Sequence, residues 1–405
     1  MKKKVLIFSL AYYPKHVGGA EGAIRDITER ISPDEFEFHM VTNRFDSTLP
    51  AVEQVGNVLV HRVGITTKNP EMKDLKKFPL HLNKALFQFL AVWEAAALHR
   101  KYTYDIVWSM MAHSTGVPGG LFKTFFPKVK YVLTLQEGDP PEYIEKKMAP
   151  FGPLFKRGFT MADRVQVIST FLGAWAQQMG YRGHIELVPN AVNTAHFSQQ
   201  FSQEQINALK EKLQKKDGDV FLITTSRLVK KNACDDVIKA LPLLPANVHF
   251  IILGTGPDEE MLRALAKELG VSDRVRFVGF VDHKNMPPYL KASDIFIRPS
   301  LSEGFGSSFV EAMAAEIPVI ATQEGGISDF LFDPERNLDK VPTGRAVDVR
   351  SPEQIARAVQ LLSDDRDATA AIVANAKALA FSKYDWGTIA HAMQKNVFEA
   401  VLKES

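Results

Sequence analysis

Two carboxylates, Glu303 and Glu311, lie eight positions apart in the segment Ser302–Ala315, which reads SEGFGSSFVEAMAA. The glycines between them let the backbone approach a ligand closely. Ser307 or Ser308 is predicted to cap a helix that carries Glu311 in its first turn. The start of such a helix favours an anion such as a diphosphate, and the carboxylates can accept hydrogen bonds from sugar hydroxyls. Spacing alone favours an ordinary loop before a helix with a solvated glutamate.

The elements that must position this segment follow a repeating pattern of short apolar runs and helical periodicity, which predicts parallel α/β units. In the first half we predict strands at 5–9, 36–42, 58–63, 106–109, 129–135, 164–168 and 185–188, with helices at 21–31 and 82–101. The pattern then restarts, with strands at 220–226, 249–254, 275–278, 295–297, 319–321 and 345–347 and helices at 234–244, 258–269, 287–292, 308–315 and 352–364. The fold class is therefore α/β with two doubly wound domains, each with a ligand crevice at the carboxyl ends of its strands.

Composition agrees with two soluble domains in 405 residues, with 45% apolar and 24% charged residues. The net charge of +2 gives no reason to expect a nucleic-acid partner. Residues 1–200 carry 24 basic and 18 acidic side chains, whereas residues 201–405 carry 25 and 29. A basic first half suits an anionic partner, although chance asymmetry of solvated faces explains it equally well. The single cysteine, Cys234, excludes an internal disulfide and favours a cytoplasmic location.

The Glu303–Glu311 segment resembles the Glu-x7-Glu signature of retaining glycosyltransferases of family 4, also called group 1. The resemblance implies the GT-B fold, in which two Rossmann-like domains face a central cleft. Residues 1–195 are then expected to form an acceptor-binding domain and residues 196–385 a nucleotide-sugar donor domain. The C-terminal helix 386–405 is expected to pack back onto the first domain.

Further blocks of the second half resemble the family's donor site. In Thr225–Lys231, Arg227 matches the family's diphosphate-binding arginine, and a guanidinium fork fits phosphate oxygens well. Asn232 stands where the family usually has lysine, so Lys231 or the Asn232 amide is expected to take that place. The remaining donor-binding residues implied by the resemblance are Gly254, Val281, Gly304, Phe305, Gly306, Ser307 and Glu311. For Gly254, tight packing of a strand against a helix is an equally good explanation.

The first half supplies the other candidates. Gly18-Gly19 resembles the family's glycine-rich loop, whose amides face the donor phosphate. His113 resembles the histidine that contacts the transferred sugar, and with Glu303 and Arg227 it completes the implied catalytic set. Gln136 replaces a histidine that is frequent in the family, and the nearby Glu137 or Asp139 is expected to orient the acceptor hydroxyl.

One position tests the resemblance directly. The helix that carries Glu311 ends at Glu316, where the family usually has glycine. We predict a left-handed conformation for Glu316, at a cost of about 1 kcal/mol relative to glycine.

The resemblance implies transfer of a sugar from a UDP- or GDP-linked donor to a hydroxyl acceptor, with retention of configuration. We expect polysaccharide or glycolipid biosynthesis, no cofactor and no metal, because Asp217-Gly218-Asp219 precedes a strand and is predicted to be a turn. A GT-B-fold sugar-nucleotide epimerase and a non-catalytic sugar-nucleotide binder remain alternatives. Pro70–Lys101 combines lysines with an apolar helix, which suits either peripheral contact with the inner face of the membrane or packing on its own domain.

Overall fold

The structure is a computed structural model that describes residues 2–15, 18–71 and 73–404. The chain divides into two compact units, one formed by Met1–Asn190 with Trp386–Ser405 and the other by Ala191–Asp385. The strands of the first unit are β1 Lys3–Phe8, β2 Phe36–Asn43, β3 Val52–Val55, β4 Val58–Val63, β5 Ile106–Met110, β6 Lys130–Leu135, β7 Arg164–Val167 and β8 His184–Leu187. Its helices are α1 Gly19–Arg30, α2 Asn83–Tyr102, α3 Val117–Phe125, α4 Pro141–Met148, α5 Gly152–Thr160 and α6 Thr170–Gln178.

The second unit has the strands β9 Val220–Thr225, β10 Val248–Leu253, β11 Val275–Gly279, β12 Ile295–Arg298, β13 Val319–Ala321 and β14 Arg345–Ala346. Its helices are α7 Thr194–Ser198, α8 Gln203–Lys212, α9 Cys234–Ala240, α10 Glu259–Glu268, α11 Pro287–Lys291, α12 Ser307–Ala314, α13 Pro352–Asp364 and α14 Arg366–Lys383. The chain then returns to the first unit with α15 Trp386–Ala392, a π-helical stretch Met393–Glu399 and α16 Ala400–Lys403.

The sheet of the first unit has the strand order β3-β4-β2-β1-β5-β6-β7-β8 and is parallel except for β3, which pairs antiparallel with β4. Val5 to Phe8 of β1 are fully buried although alternate side chains point to opposite faces, as expected for a parallel sheet that is covered on both sides. The strand order reverses at β1, which pairs with β2 on one side and β5 on the other. The carboxyl ends of β1 and β5 therefore form the switch point at which α/β sheets bind ligands.

The C-terminal segment packs on the sheet of the first unit. The Phe398 ring lies 5.1 Å from Trp108 and 5.9 Å from Phe36, between ring centroids. Lys130 Nζ donates a 2.6 Å hydrogen bond to the carbonyl of Glu404. The acceptor-binding and donor-binding roles assigned to the two halves remain predictions.

The sheet of the second unit is parallel, with the order β11-β10-β9-β12-β13-β14. Here the order reverses between the adjacent strands β9 and β12, so their carboxyl ends form the second switch point. Thr225 ends β9 and Arg298 ends β12. The loops that follow these strands contain Arg227 and Glu303, so the fold places the two loops next to each other.

Glu316, two residues past the end of α12, has a φ of 61°, which confirms its predicted left-handed conformation. Asp219 accepts a 2.8 Å hydrogen bond from the backbone amide of Lys216, so the segment before β9 forms the predicted turn. Cys234 is buried at the start of α9, and burial raises the pKa of its thiol to about 11.

Candidate active site

Glu303 is held from two directions in the loop after β12. Its Oε1 accepts a 2.9 Å hydrogen bond from Arg298 Nη2, and both side chains are buried. Its backbone carbonyl accepts a 3.0 Å bond from the amide of Gly326. Gly325 has a φ of 61°, and a Cβ at this position would lie 2.1 Å from the carbonyl oxygen of Glu303. Only glycine fits this close approach, so the Gly325-Gly326 turn fixes the backbone while Arg298 fixes the carboxylate.

Arg298 was not singled out by the sequence, although it is the residue that positions Glu303. Its guanidinium stacks on the ring of Phe309 at 4.3 Å, and its Nε donates to Ser300 Oγ at 3.2 Å. These contacts give the arginine one orientation beneath the start of α12. The sequence did contain a signal that could have identified Arg298. It directly follows a predicted buried strand, and a buried charge requires a partner.

The start of α12 differs from the prediction. Gly306, with a φ of 89°, occupies the N-cap position, and no side chain caps the helix. The predicted caps by Ser307 or Ser308 are therefore wrong, because the left-handed glycine turns the chain into the helix before either serine. An uncapped first turn leaves backbone N–H groups without helical partners, which suits an anion. Phe305 packs on Phe330 and Tyr384, so its side chain belongs to the core of the unit.

Glu311 lies in the second turn of α12, which corrects the predicted first-turn position, because the helix begins at Ser307. Its carboxylate is buried, and Oε1 lies 2.8 Å from Nε2 of His283. His283 also packs edge-to-face on Phe197, with a centroid distance of 5.1 Å. A ligand that uses Glu311 must share this carboxylate with His283, a residue that the sequence gave no reason to select.

The loop after β9 presents Arg227 to solvent, and none of the described residues hydrogen-bonds or ion-pairs with its guanidinium. Asn232 is buried, and its Nδ2 donates a 2.7 Å bond to the carbonyl of Arg227. Asn232 thus shapes the loop that carries Arg227. The carbonyl of Lys231 accepts a 2.7 Å bond from the amide of Leu301, which ties this loop to the loop that contains Glu303.

Gly254 has a structural reason to be glycine. With a φ of 144°, it lies so close to the preceding loop that a Cβ would be 1.9 Å from the carbonyl oxygen of Ser226. Close packing therefore explains this glycine by itself, although the neighbour is the loop after β9 and not a helix. Val281 is half-buried in the loop after β11 and follows Phe280, which is exposed.

In the first unit, Gly18 and Gly19 lie at the start of α1, after β1. His16 and Val17 lie outside the described residues. The amide of Gly18 donates a 2.8 Å bond to Oε2 of Glu21, and burial raises the pKa of that carboxyl group. An anion at Gly18 must therefore compete with Glu21, whereas the Cβ position of Gly19 has no neighbour within 4 Å.

His113 follows β5, in the π-helical stretch Ala112–Gly116. Its Nδ1 lies 3.4 Å from Oε1 of Glu137, which also accepts its backbone amide at 3.3 Å. Met111 precedes this stretch with a φ of 71°, a strained value for a residue with a side chain. Stored strain of this kind is frequent at functional sites.

Glu137 is almost fully buried, and its other oxygen accepts the amide of Gln136 at 2.9 Å. This burial suits a partner of His113 better than the predicted contact with an acceptor. Asp139 is exposed and remains available for that role. Gln136 Nε2 donates to Asn190 Oδ1 at 2.9 Å, so the glutamine in the usual histidine position braces the loop.

The loops at the switch points of the two sheets thus contain the candidate residues Gly18, His113, Arg227 and Glu303. The family described as "Glycosyl transferases group 1" matches residues 205–379, and "Glycosyltransferase Family 4" matches residues 17–196. The chain belongs to the group 1, or family 4, glycosyltransferases. It is accordingly a nucleotide-sugar-dependent glycosyltransferase.

Two relatives and two solved structures illustrate the similarity. A glycosyltransferase of Methanocaldococcus jannaschii is 24% identical, over 96% of either chain. The GDP-mannose-dependent alpha-(1-6)-phosphatidylinositol monomannoside mannosyltransferase of Mycobacterium tuberculosis is 32% identical, over 56% of this chain and 60% of that one.

Sucrose-phosphate synthase of Thermosynechococcus elongatus superposes with a TM-score of 0.79 at 21% identity and covers 100% of both chains. Anabaena HepE in complex with UDP-glucose gives a TM-score of 0.73 at 21% identity, over 98% of this chain and 99% of that one. At this identity the likeness establishes the GT-B fold.

Proposed function

We propose that this glycosyltransferase moves a sugar from a nucleoside-diphosphate sugar to a hydroxyl acceptor, with retention of configuration and without a metal. The observation that carries the proposal is the buried Arg298–Glu303 pair, which fixes a carboxylate at the switch point beside the Arg227 loop. A fixed carboxylate can orient the hydroxyls of a bound hexose, and an exposed arginine can hold its diphosphate. UDP-glucose in the HepE complex and the GDP-mannose named for the mycobacterial relative support a UDP- or GDP-linked donor.

In this mechanism the rate enhancement comes from positioning and from stabilising the leaving diphosphate. Arg227 and the amides of Gly304, Gly306 and Ser307 neutralise the charge that develops on the diphosphate, with the Gly18-Gly19 amides as further donors. Glu303 and His113 orient the transferred sugar, and Glu311 accepts from the ribose. Lys231 and Asn232 shape the diphosphate loop, and Val281 lies beside the base.

The acceptor belongs to the glycolipid or polysaccharide class, and the transferase works in the cytoplasm, with peripheral contact to the inner face of the membrane. The phosphatidylinositol mannoside acceptor named for the mycobacterial relative supports a lipid-linked hydroxyl. The excess of basic residues in the first half, 24 against 18 acidic, supports contact with an anionic surface.

A panel of UDP- and GDP-linked sugars tests the proposal in two steps. The true donor should raise the unfolding temperature of the protein. In the absence of acceptor, slow hydrolysis of this donor should release free nucleotide. Glu303→Gln should abolish that release, whereas Glu353→Gln, on the exposed face of α13, should leave it unchanged. NMR of a glycosylated product should show the anomeric configuration of the donor.

Each competing function predicts a different result. An isomerised donor without nucleotide release would identify an epimerase, and stabilisation without turnover would identify a binding protein. Loss of turnover on adding a chelator would overturn the proposal that the transfer needs no metal. Failure of every donor to bind would overturn the whole proposal.

A further inference from the structure

His283 links two parts of the proposed donor site within the second unit. It begins the 3₁₀ turn His283–Asn285, two residues after Val281 in the loop that follows β11. Its Nε2 lies 2.8 Å from Oε1 of Glu311 on α12. The loop that we place beside the base and the carboxylate that we assign to the ribose are therefore joined through one imidazole.

The contact between the two side chains is a hydrogen bond donated by the histidine, because an ionised carboxylate can only accept. The Glu311 side chain is 11% exposed, whereas that of His283 is 58% exposed. A carboxylate withdrawn from water needs hydrogen bonds from the protein or from a ligand, and His283 supplies one of them. Among the described residues none donates to the other oxygen, Oε2, so that oxygen is the one that a ligand hydroxyl can use.

Aromatic and backbone contacts fix the imidazole. The ring packs edge-to-face on Phe197 of α7, with centroids 5.1 Å apart, and Phe197 is fully buried. The His196 ring lies 6.1 Å away, with its plane 28° from that of His283. Asp282 caps the turn that carries His283, since its side chain accepts a backbone amide of the turn at 3.0 Å. A donor locked by packing and by a capped turn is suited to orient a binding group.

A histidine with similar neighbours lies at the opposite end of the same sheet. His249, near the amino end of β10, has its Nε2 3.5 Å from Oδ2 of Asp219 and packs edge-to-face on Phe221 at 5.7 Å. Its carboxylate partner belongs to the turn before β9, far from the carboxyl ends of the strands. The partner of His283 instead lies on the helix that follows the loop of Glu303, so the two pairs differ in position and not in kind.

We propose that His283 is a positioning residue for the nucleoside part of the donor. It fixes one oxygen of Glu311 so that the other accepts from a ribose hydroxyl, which makes the site selective for ribonucleotides. The inference rests on the proposed function and names a residue that determines part of its donor specificity. The residue should affect nucleotide binding and leave the chemical step unchanged, because Glu311, unlike Glu303, is assigned to the ribose.

Calorimetric titration with UDP and GDP, and with the 2′,3′-dideoxy form of each, provides the test without sugar or acceptor. In His283→Phe the ring can still pack on Phe197, but the hydrogen bond to Glu311 is lost. The nucleotide that the wild type binds should then bind roughly tenfold more weakly, since a hydrogen bond to a charged group is lost. The dideoxy form should bind the wild type weakly and should lose nothing further in the variant.

Three other variants show how His283 acts. His283→Gln places an amide nitrogen near the position of Nε2 and should recover most of the affinity. Glu311→Gln should weaken binding by itself, and His283→Phe added to it should cause little further loss, because the histidine acts through that carboxylate. His249→Phe is the matched control and should bind both forms of the nucleotide like the wild type. With the donor, His283→Phe should raise the KM for nucleotide release and leave kcat near the wild-type value.

The possible failures are distinct. If the wild type binds UDP or GDP and His283→Phe binds it equally well, this inference is wrong and the proposed donor class is unaffected. An equal loss for the ribose and dideoxy forms would also overturn it, because His283 would then act on another part of the nucleotide. If the wild type binds neither nucleotide, the proposed function fails and the inference fails with it. Circular dichroism checks the fold of each variant, and His283→Asn, too short to reach Glu311, replaces His283→Phe in the same titrations if that variant does not fold.

Discussion

The two loops that present the proposed sugar-orienting residues are built differently. In the second unit, Glu303 is fixed by a 2.9 Å bond to a buried arginine and by a backbone bond to Gly326. In the first unit, His113 lies 3.4 Å from the buried Glu137 and follows the strained Met111. One residue is therefore held rigidly by paired charges, whereas the other is held by longer contacts beside stored strain. We infer that the donor-side carboxylate is preorganised and that His113 has more freedom to adjust to the sugar.

Arg298→Met should have the largest effect. The substitution leaves the buried Glu303 carboxylate without its charged partner, which typically costs about 3–5 kcal/mol of unfolding free energy. Turnover should fall with it, because the carboxylate loses its orientation. Urea unfolding and nucleotide-release assays measure the two losses, and Arg298→Lys should recover part of each.

Arg164→Met is the matched control for that prediction. Arg164 is also buried and ion-paired, with Glu186 and Glu404, and lies away from the proposed site. It should cost stability and leave turnover by the folded protein unchanged. A loss of turnover in Arg164→Met equal to that in Arg298→Met would show that Arg298 acts only through global stability.

Gly325→Ala tests the second contact that fixes Glu303, which is the one to its backbone carbonyl. The left-handed φ costs about 1 kcal/mol, and the overlap with the Glu303 carbonyl forces that loop to move. We expect turnover to fall more than stability. Gly270→Ala has a similar φ of 68° with no neighbour within 4 Å of its Cβ, so it should show only the conformational cost. Equal turnover in the two variants would contradict the role of the Gly325-Gly326 turn in fixing the backbone of Glu303.

Secondary structure could be predicted from the sequence, whereas most of the side-chain contacts that position Glu303, Glu311 and His113 could not. Buried strands and the helices between them were predictable because apolar runs are local signals. β3 was missed because Val52–Val55 is a short strand at the edge of the sheet, with no buried residue. The Glu316 conformation was predictable because the family usually has glycine at this helix end. Arg298 and His283 were not selected, and Glu137 was assigned to the acceptor instead of to His113, because the contact of a side chain depends on how distant segments fold together.

Acid should affect the first unit before the second. Burial lowers the pKa of His61 to about 4 and also lowers that of the neighbouring His39. Both histidines are neutral in the folded state, and an unfolded histidine titrates near 6.5. The contribution of His61 to stability is therefore full above about pH 6.5 and decreases as the pH falls towards 4, by up to about 1.4 kcal/mol per pH unit. The lowered pKa of His39 adds to the loss in the same direction.

Unfolding followed across this pH range should show the decrease, and His61→Leu should flatten it. In the second unit, His249 also has a lowered pKa, which the nearby Asp219 partly offsets, so its contribution should be smaller. An unchanged pH slope in His61→Leu would be evidence against His61 as the source.

Glu137→Gln should produce the smallest effect and tests the looser loop most directly. Glutamine keeps the shape but presents an NH2 group to one of the amides of Gln136 or His113, so one hydrogen bond is lost at about 1 kcal/mol. Because the second unit holds the donor in the proposed mechanism, nucleotide affinity should be unchanged while kcat falls several-fold. Glu145→Gln is the matched control, since Glu145 accepts from Trp175 Nε1 at 2.9 Å in the same unit. If both variants have the same kcat, Glu137 does not position His113, and the first loop would then depend on the backbone strain at Met111 alone.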